Sequence, residues 1–276
     1  MKRALWVTFA CLLAVSLAAF QINKAAPGHH RTDAPAQHEL GRVDIKGTPA
    51  TERLMDPREA VPEPPLDPRI VNAIRMTDDT TSNDFPDIAS NPKNRAEVWC
   101  AWQSYGGRRD EVRIAKLLPD GKMWGTWTQV PGVTGDVWRT KLAFDAQGRL
   151  WVIWSQNDGG NFDLWARPYD GDHWGKLDRI TTAPQSDIEH RVAADSQGRI
   201  WVVWQGFRGG QSDIFLASYD GKAWSNEIRV SDSPRNDWAP AVAVDSKGTV
   251  YVAWDTYDKG NYECACAATP RGNSGP

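Results

Sequence analysis

The chain has 276 residues, with 32 basic against 35 acidic side chains and a net charge of −3. It therefore offers no basic footprint for nucleic acid and no strong attraction to a membrane surface. Three of the four cysteines, Cys100, Cys264 and Cys266, follow the apolar leader, and an odd number argues against a disulfide framework.

Met1-Lys-Arg3, followed by the apolar run 4–20 with small residues at Ser16 and Ala18, has the three zones of a secretory signal peptide, cut after Ala18 or Ala19. The run is short for a spanning helix and contains Thr8 and Ser16. The expectation for 1–19 is export to the periplasm or the extracellular space, with no stable membrane insertion after cleavage. Cys11 lies inside the run rather than after it, which argues against a lipid anchor. Residues 20–69 carry eight prolines, from Pro27 to Pro68, among charged and small residues. Such a segment cannot bury enough surface to order itself and reads as a disordered tether. His29 and His30 fall there and read as a solvated polar pair.

Residues 70–276 repeat. Gly148-Arg-Leu-Trp-Val-Ile-Trp154 returns as Gly198-Arg-Ile-Trp-Val-Val-Trp204 and as Gly248-Thr-Val-Tyr-Val-Ala-Trp254, each 50 residues after the last. Asp145, Asp195 and Asp245 keep the same spacing, as do Asp120, Asp170 and Asp220, and Trp124, Trp174 and Trp224. With an earlier copy beginning at Asp84, there are four: 84–135, 136–186, 187–236 and 237 onward. Within each copy two β-type runs joined by a Gly-bearing turn are followed by two more joined by an Asp-Gly turn. Each copy is thus a four-stranded antiparallel meander.

Units of this length cannot bury a hydrophobic face alone and must stack on their neighbours. The predicted fold is all-β: a β-propeller of four ~50-residue, four-stranded antiparallel blades, as an open arc or a four-bladed ring. Trp102, Trp154, Trp204 and Trp254 are expected to fill the space between blades. Ile74-Arg-Met-Thr-Asp78 resembles Ile228-Arg-Val-Ser-Asp232, the fourth strand of the third copy, and is the strand the fourth copy lacks. Against a closed ring stands Cys264-Ala-Cys-Ala-Ala268, which replaces the expected pattern, so an incomplete ring with two apolar faces open to association is favoured. Cys264 and Cys266, in the places of Ile214 and Leu216, read as buried hydrophobes.

The turns Pro119-Asp-Gly-Lys-Met-Trp124, Tyr169-Asp-Gly-Asp-His-Trp174 and Tyr219-Asp-Gly-Lys-Ala-Trp224 resemble the Asp-box turns of sialidase-like, or bacterial neuraminidase repeat, propellers. Asp and Trp stand one residue closer than in that family, and its leading Ser is absent. The run Val252–Tyr262 also looks like propeller repeats that precede metal-dependent hydrolase domains in exported bacterial proteins. That likeness implies the front part of a larger enzyme. The chain itself has no His-x-His or clustered metal set, so no metal or other cofactor is expected.

Recurrent aspartates in the turns read as structural, whereas the varied loops between second and third strands are where binding is built. Arg109, Asp158, Arg208 and Tyr257 lie on that rim. Near the axis, Arg139, Glu189, His190 and Arg191 stand beside Asp87 and Lys141, where a purely structural repeat could be apolar. Arginines suit a carboxylate-bearing sugar, and a carboxyl group could do acid–base work. No set of two carboxyls, or of tyrosine with an arginine cluster, assembles from spacing alone. The expected function is an exported, non-catalytic module that presents a glycan- or protein-binding rim or serves as a scaffold, with two alternatives: a sialidase-like glycoside hydrolase, or the truncated N-terminal propeller of a larger metal-dependent hydrolase.

Overall fold

The computed structural model describes residues 74–269, together with the two-rung pairing of β1 (Arg42–Val43) with β2 (Pro49–Ala50). The leader at 1–19 lies outside the described residues. The chain divides into compact units at 1–70 and 71–276, and the second holds all the repeats.

Four antiparallel sheets follow one another. The first contains β3 (Ser82–Asn91), β4 (Asn94–Tyr105), β5 (Asp110–Lys116) and β6 (Thr128–Gln129). The second contains β7 (Asp136–Phe144), β8 (Leu150–Asn157), β9 (Phe162–Tyr169) and β10 (Asp178–Arg179). The third is β11 (Asp187–Ala194), β12 (Ile200–Arg208), β13 (Gln211–Tyr219) and β14 (Ile228–Arg229). The fourth holds β15 (Asp237–Val244), β16 (Val250–Asp258) and β17 (Asn261–Ala268), three strands among the described residues. Each runs as a meander, and each packs on the next in chain order.

The repeated aspartates make the turns. Asp145 Oδ1 accepts the N–H groups of Gln147 and Arg149 at 2.9 and 3.0 Å, and Asp195 and Asp245 do the same for their own loops. This arrangement lets the following glycine, Gly148, Gly198 or Gly248, take a positive φ near 80°. Asp170 and Asp220 likewise each accept two backbone N–H groups in the turn between third and fourth strands.

Sheets are joined by their faces. Trp154 and Trp204 are fully buried, and Trp102 and Trp254 nearly so. One seam packs Trp151, Ile153 and Leu164 of the second sheet on Ile200, Val202 and Trp204 of the third. The next packs Trp201, Val203, Ile214 and Leu216 on Val250, Val252 and Trp254. Alternation along each strand sends successive side chains to opposite faces, so a blade serves both of its neighbours.

Two expectations need correction. Residues 74–78 are not a strand and are not paired with β17: Met76 packs instead against Cys100, Trp102 and Ala115 of the first sheet. Cys264 and Cys266 are exposed, not buried, because among the described residues of 71–276 no further sheet packs on the face they share. Their counterparts Ile214 and Leu216 are 0% and 4% exposed because the fourth sheet lies on them.

Candidate functional site

The innermost strand of every sheet is interrupted at one equivalent place, and β3 slips a second time between Ser90 and Asn91. Pairing with the second strand slips between Asp84 and Asp87, Trp138 and Thr140, Ile188 and Arg191, and Trp238 and Ala241. Inside each slip one non-glycine residue adopts a left-handed backbone: Phe85 (φ 51°), Arg139 (59°), Glu189 (55°) and Ala239 (48°). These are β-bulges, and each such residue costs roughly 1–3 kcal/mol of strain. A bulge re-aims the side chains beside it.

The first three bulges bring their side chains together. Phe85 and Trp138 rings lie 5.3 Å apart, tilted at 51°. The Arg139 guanidinium sits over both rings, at 5.5 and 5.8 Å. Glu189 accepts the Trp138 indole N–H at 3.1 Å on Oε1 and pairs with Arg139 at 3.1 Å through Oε2. Arg191 approaches the same Oε2 at 3.7 Å. Beside them Asp87 accepts hydrogen bonds from Lys141 Nζ at 2.9 Å and from the Leu142 N–H at 2.8 Å. The Phe85 carbonyl accepts the Thr140 hydroxyl at 3.1 Å, fixing the bulge across the seam. All these charged side chains remain partly open to solvent.

Arg139, Glu189 and Arg191 therefore converge, with Asp87 and Lys141 alongside. His190 turns the other way. It is fully buried, with Nε2 3.4 Å from the Ile153 carbonyl and Nδ1 unpartnered, and burial pulls its pKa down to about 3. It presents nothing to a ligand. Arg208 is engaged at the seam, pairing with Asp187 at 2.9 Å and Glu227 at 3.0 Å. Asp187 is buried, which pushes its carboxyl up to about 6 despite Arg208 and the Trp204 N–H on Oδ1. Arg109 and Asp158 are exposed at the β4–β5 and β8–β9 turns, and Tyr257, 5.1 Å from Tyr262, flanks the β16–β17 turn. These four belong to four different sheets rather than to one cluster.

Phe85 and Trp138 were not singled out from sequence. The signal was present: Pro86 and Pro240 fall inside strands, one residue after Phe85 and Ala239, and a proline there marks a bulge. At the other end of the innermost strands a cavity of about 480 Å³ is lined by Leu142, Asp145, Val192 and Gly198 among others. Asp145, its buried acid, is consumed by Arg149, Trp151 and the turn N–H groups. Among the described residues no group of three potential metal ligands occurs.

Solved structures share the overall fold. The α-L-arabinanase of Penicillium chrysogenum, complexed with arabinobiose, is similar over 67% of this chain and 62% of its own, at 13% identity and a TM-score of 0.52. A Dyadobacter fermentans protein of unknown function is similar over 71% and 68%, at 14% identity and a TM-score of 0.50. The fold is a β-propeller. At such identities the propeller likeness concerns fold alone, and the chain spans less than two thirds of the arabinanase's length. No protein-family model and no curated protein matches the chain.

Proposed function

We propose that this propeller binds a glycan, without cleaving it, at the axial cluster of Phe85, Trp138, Arg139, Glu189 and Arg191. The observation that carries the reading is the partly exposed Trp138, its ring set against Phe85 and edged by a carboxylate and guanidinium groups. A sugar has an apolar C–H face and a rim of hydroxyls, and a ring with charged donors and acceptors beside it matches both. Three strained bulges at one spot support a role beyond folding, since strain of this kind gathers at binding sites. The arabinobiose in the similar arabinanase makes arabinose-containing oligosaccharides the first probes. Export through the leader at 1–19 would place the protein where such polymers occur.

Hydrolysis at the same place is the second reading, favoured by the presence of two carboxyl groups, Asp87 and Glu189, in one cluster. Asp87 already accepts two hydrogen bonds, from Lys141 and Leu142, and Glu189 accepts one from Trp138 while pairing with Arg139, an arrangement suited to holding hydroxyls. Calorimetric titration with arabino-oligosaccharides, with chromatography of the recovered sugar, separates the readings. Binding with intact sugar supports the module. Release of shorter sugars, abolished by Asp87→Asn or Glu189→Gln, supports the enzyme, and neither binding nor release defeats both.

A further inference from the structure

We infer that two copies of this chain associate head to tail, the 74–78 segment of one adding itself to the β17 edge of the other. The sheets themselves show how such a joint is made. In the second and third sheets a short fourth strand closes the edge: β10 on β9 and β14 on β13. Its arginine reaches a carboxylate of the third strand, Arg179 to Asp163 and Arg229 to Asp213. The hydroxyl two residues on, Thr181 or Ser231, accepts the N–H of Leu164 or Ile214 at 2.9 Å. The apolar residue between them, Ile180 or Val230, packs into the seam with the following sheet.

The fourth sheet has everything such a strand would meet and, among the described residues, no such strand. Glu263 stands where Asp213 stands in the third sheet, exposed, and Cys264 stands where Ile214 does. The outward face of β16 and β17 displays Tyr251 (43% exposed), Tyr257 (37%) and Tyr262 (67%) along with both cysteines. An open edge beside an exposed apolar face is a template for strand addition.

Residues 74–78 have the opposite deficiency. Ile74-Arg-Met-Thr reproduces Ile228-Arg-Val-Ser. Met76 already packs on Cys100 and Trp102 of the first sheet, as Val230 packs into the cluster with Val252 and Trp254 of the fourth. The segment thus lies on the sheet that should follow it and lacks the sheet that should precede it. Arg75 is exposed, and its Nε donates locally to the Thr77 carbonyl at 2.7 Å. Within one chain the two edges are not joined, so the β17 edge that matches 74–78 is that of a second copy. The contact is heterologous, and two four-sheet arcs joined twice give eight sheets, within the range of about four to eight known for closed propellers.

Light scattering on the full chain tests this. The wild type is expected at twice the monomer mass. Arg75→Glu and Glu263→Arg should each weaken association by at least about tenfold, because each opposes like charges at both joints. An equimolar mixture of the two variants should recover the dimer, since each joint of the mixed pair again opposes an acid and a base. A monomeric wild type, single variants that still dimerise, or a mixture that stays monomeric would each overturn the proposal. A monomer whose thermal stability falls in each single variant and returns in the double variant would show instead that one chain closes on itself.

Discussion

Trp138 donates its indole N–H to Glu189 across the seam between the second and third sheets, at 3.1 Å. One bulged strand thereby orients the ring that the next bulged strand's carboxylate edges. Trp138→Ala should weaken oligosaccharide binding by at least about tenfold, the loss expected for a central aromatic anchor. Trp138→Phe keeps a ring but no donor, and should fall between the two in the same titration. Equal affinities for all three proteins would move the site elsewhere.

All four bulges carry the same backbone strain, and Ala239 offers an internal control. It has the same left-handed backbone as Arg139 and Glu189 but a side chain with nothing to hold. Ala239→Gly should raise stability by about 1 kcal/mol without changing affinity, because glycine adopts this conformation freely. Arg139→Gly relieves the same strain but removes the ion pair with Glu189 and the cation over both rings. Binding should drop there. Urea midpoints and titration on the two variants separate the effects.

Two equivalent glycines should differ sharply. Gly198 and Gly248 both have positive φ, 75° and 81°. A Cβ on Gly198 would lie 2.1 Å from the Ala146 nitrogen, whereas one on Gly248 meets nothing within 4 Å. Gly248→Ala should cost about 1 kcal/mol, the backbone term alone. Gly198→Ala must also part the second and third sheets, where Ala146 N–H donates to the Gly198 carbonyl at 3.2 Å. Its midpoint should fall several times further.

Asp187 and His190, three residues apart on one strand, should tilt the pH dependence of stability in opposite directions. Asp187 titrates near 6 when folded against about 3.9 unfolded. Its contribution is present below about pH 4 and lost as pH rises through 6, on the order of 3 kcal/mol. His190 titrates near 3 when folded against about 6.5 unfolded. Its contribution is present above about 6.5 and lost as pH falls toward 3. Between 4 and 6 the two offset each other in the wild type. Asp187→Asn should make stability fall steadily as pH drops through that window, and His190→Leu should make it rise. Parallel profiles for both variants would refute the assignment.

The fold was legible because Asp, Gly and Trp each do one job that recurs from copy to copy: Asp145, Asp195 and Asp245 hold equivalent turn N–H groups, and Trp154, Trp204 and Trp254 occupy equivalent places in three successive seams. Part of the candidate cluster was legible too, since Arg139, Glu189 and Arg191 are charges at positions the repeat could have left apolar, and the structure brings these three together. Phe85 and Trp138 escaped because their placement depends on where the ladder slips, and Trp138 is otherwise an ordinary aromatic in a chain rich in them. Cys264 and Cys266 escaped for a different reason. Strand alternation says which face a residue takes, while what lies across that face depends on the next sheet.

A bulge separates two kinds of change. Beyond it the ladder resumes with the same partners in all four sheets, so the residue it carries can be phenylalanine, arginine, glutamate or alanine while the sheet around it stays the same. Positions 85, 139, 189 and 239 are thus four interchangeable sockets on a fixed frame, where the proposed site can be rewritten one side chain at a time.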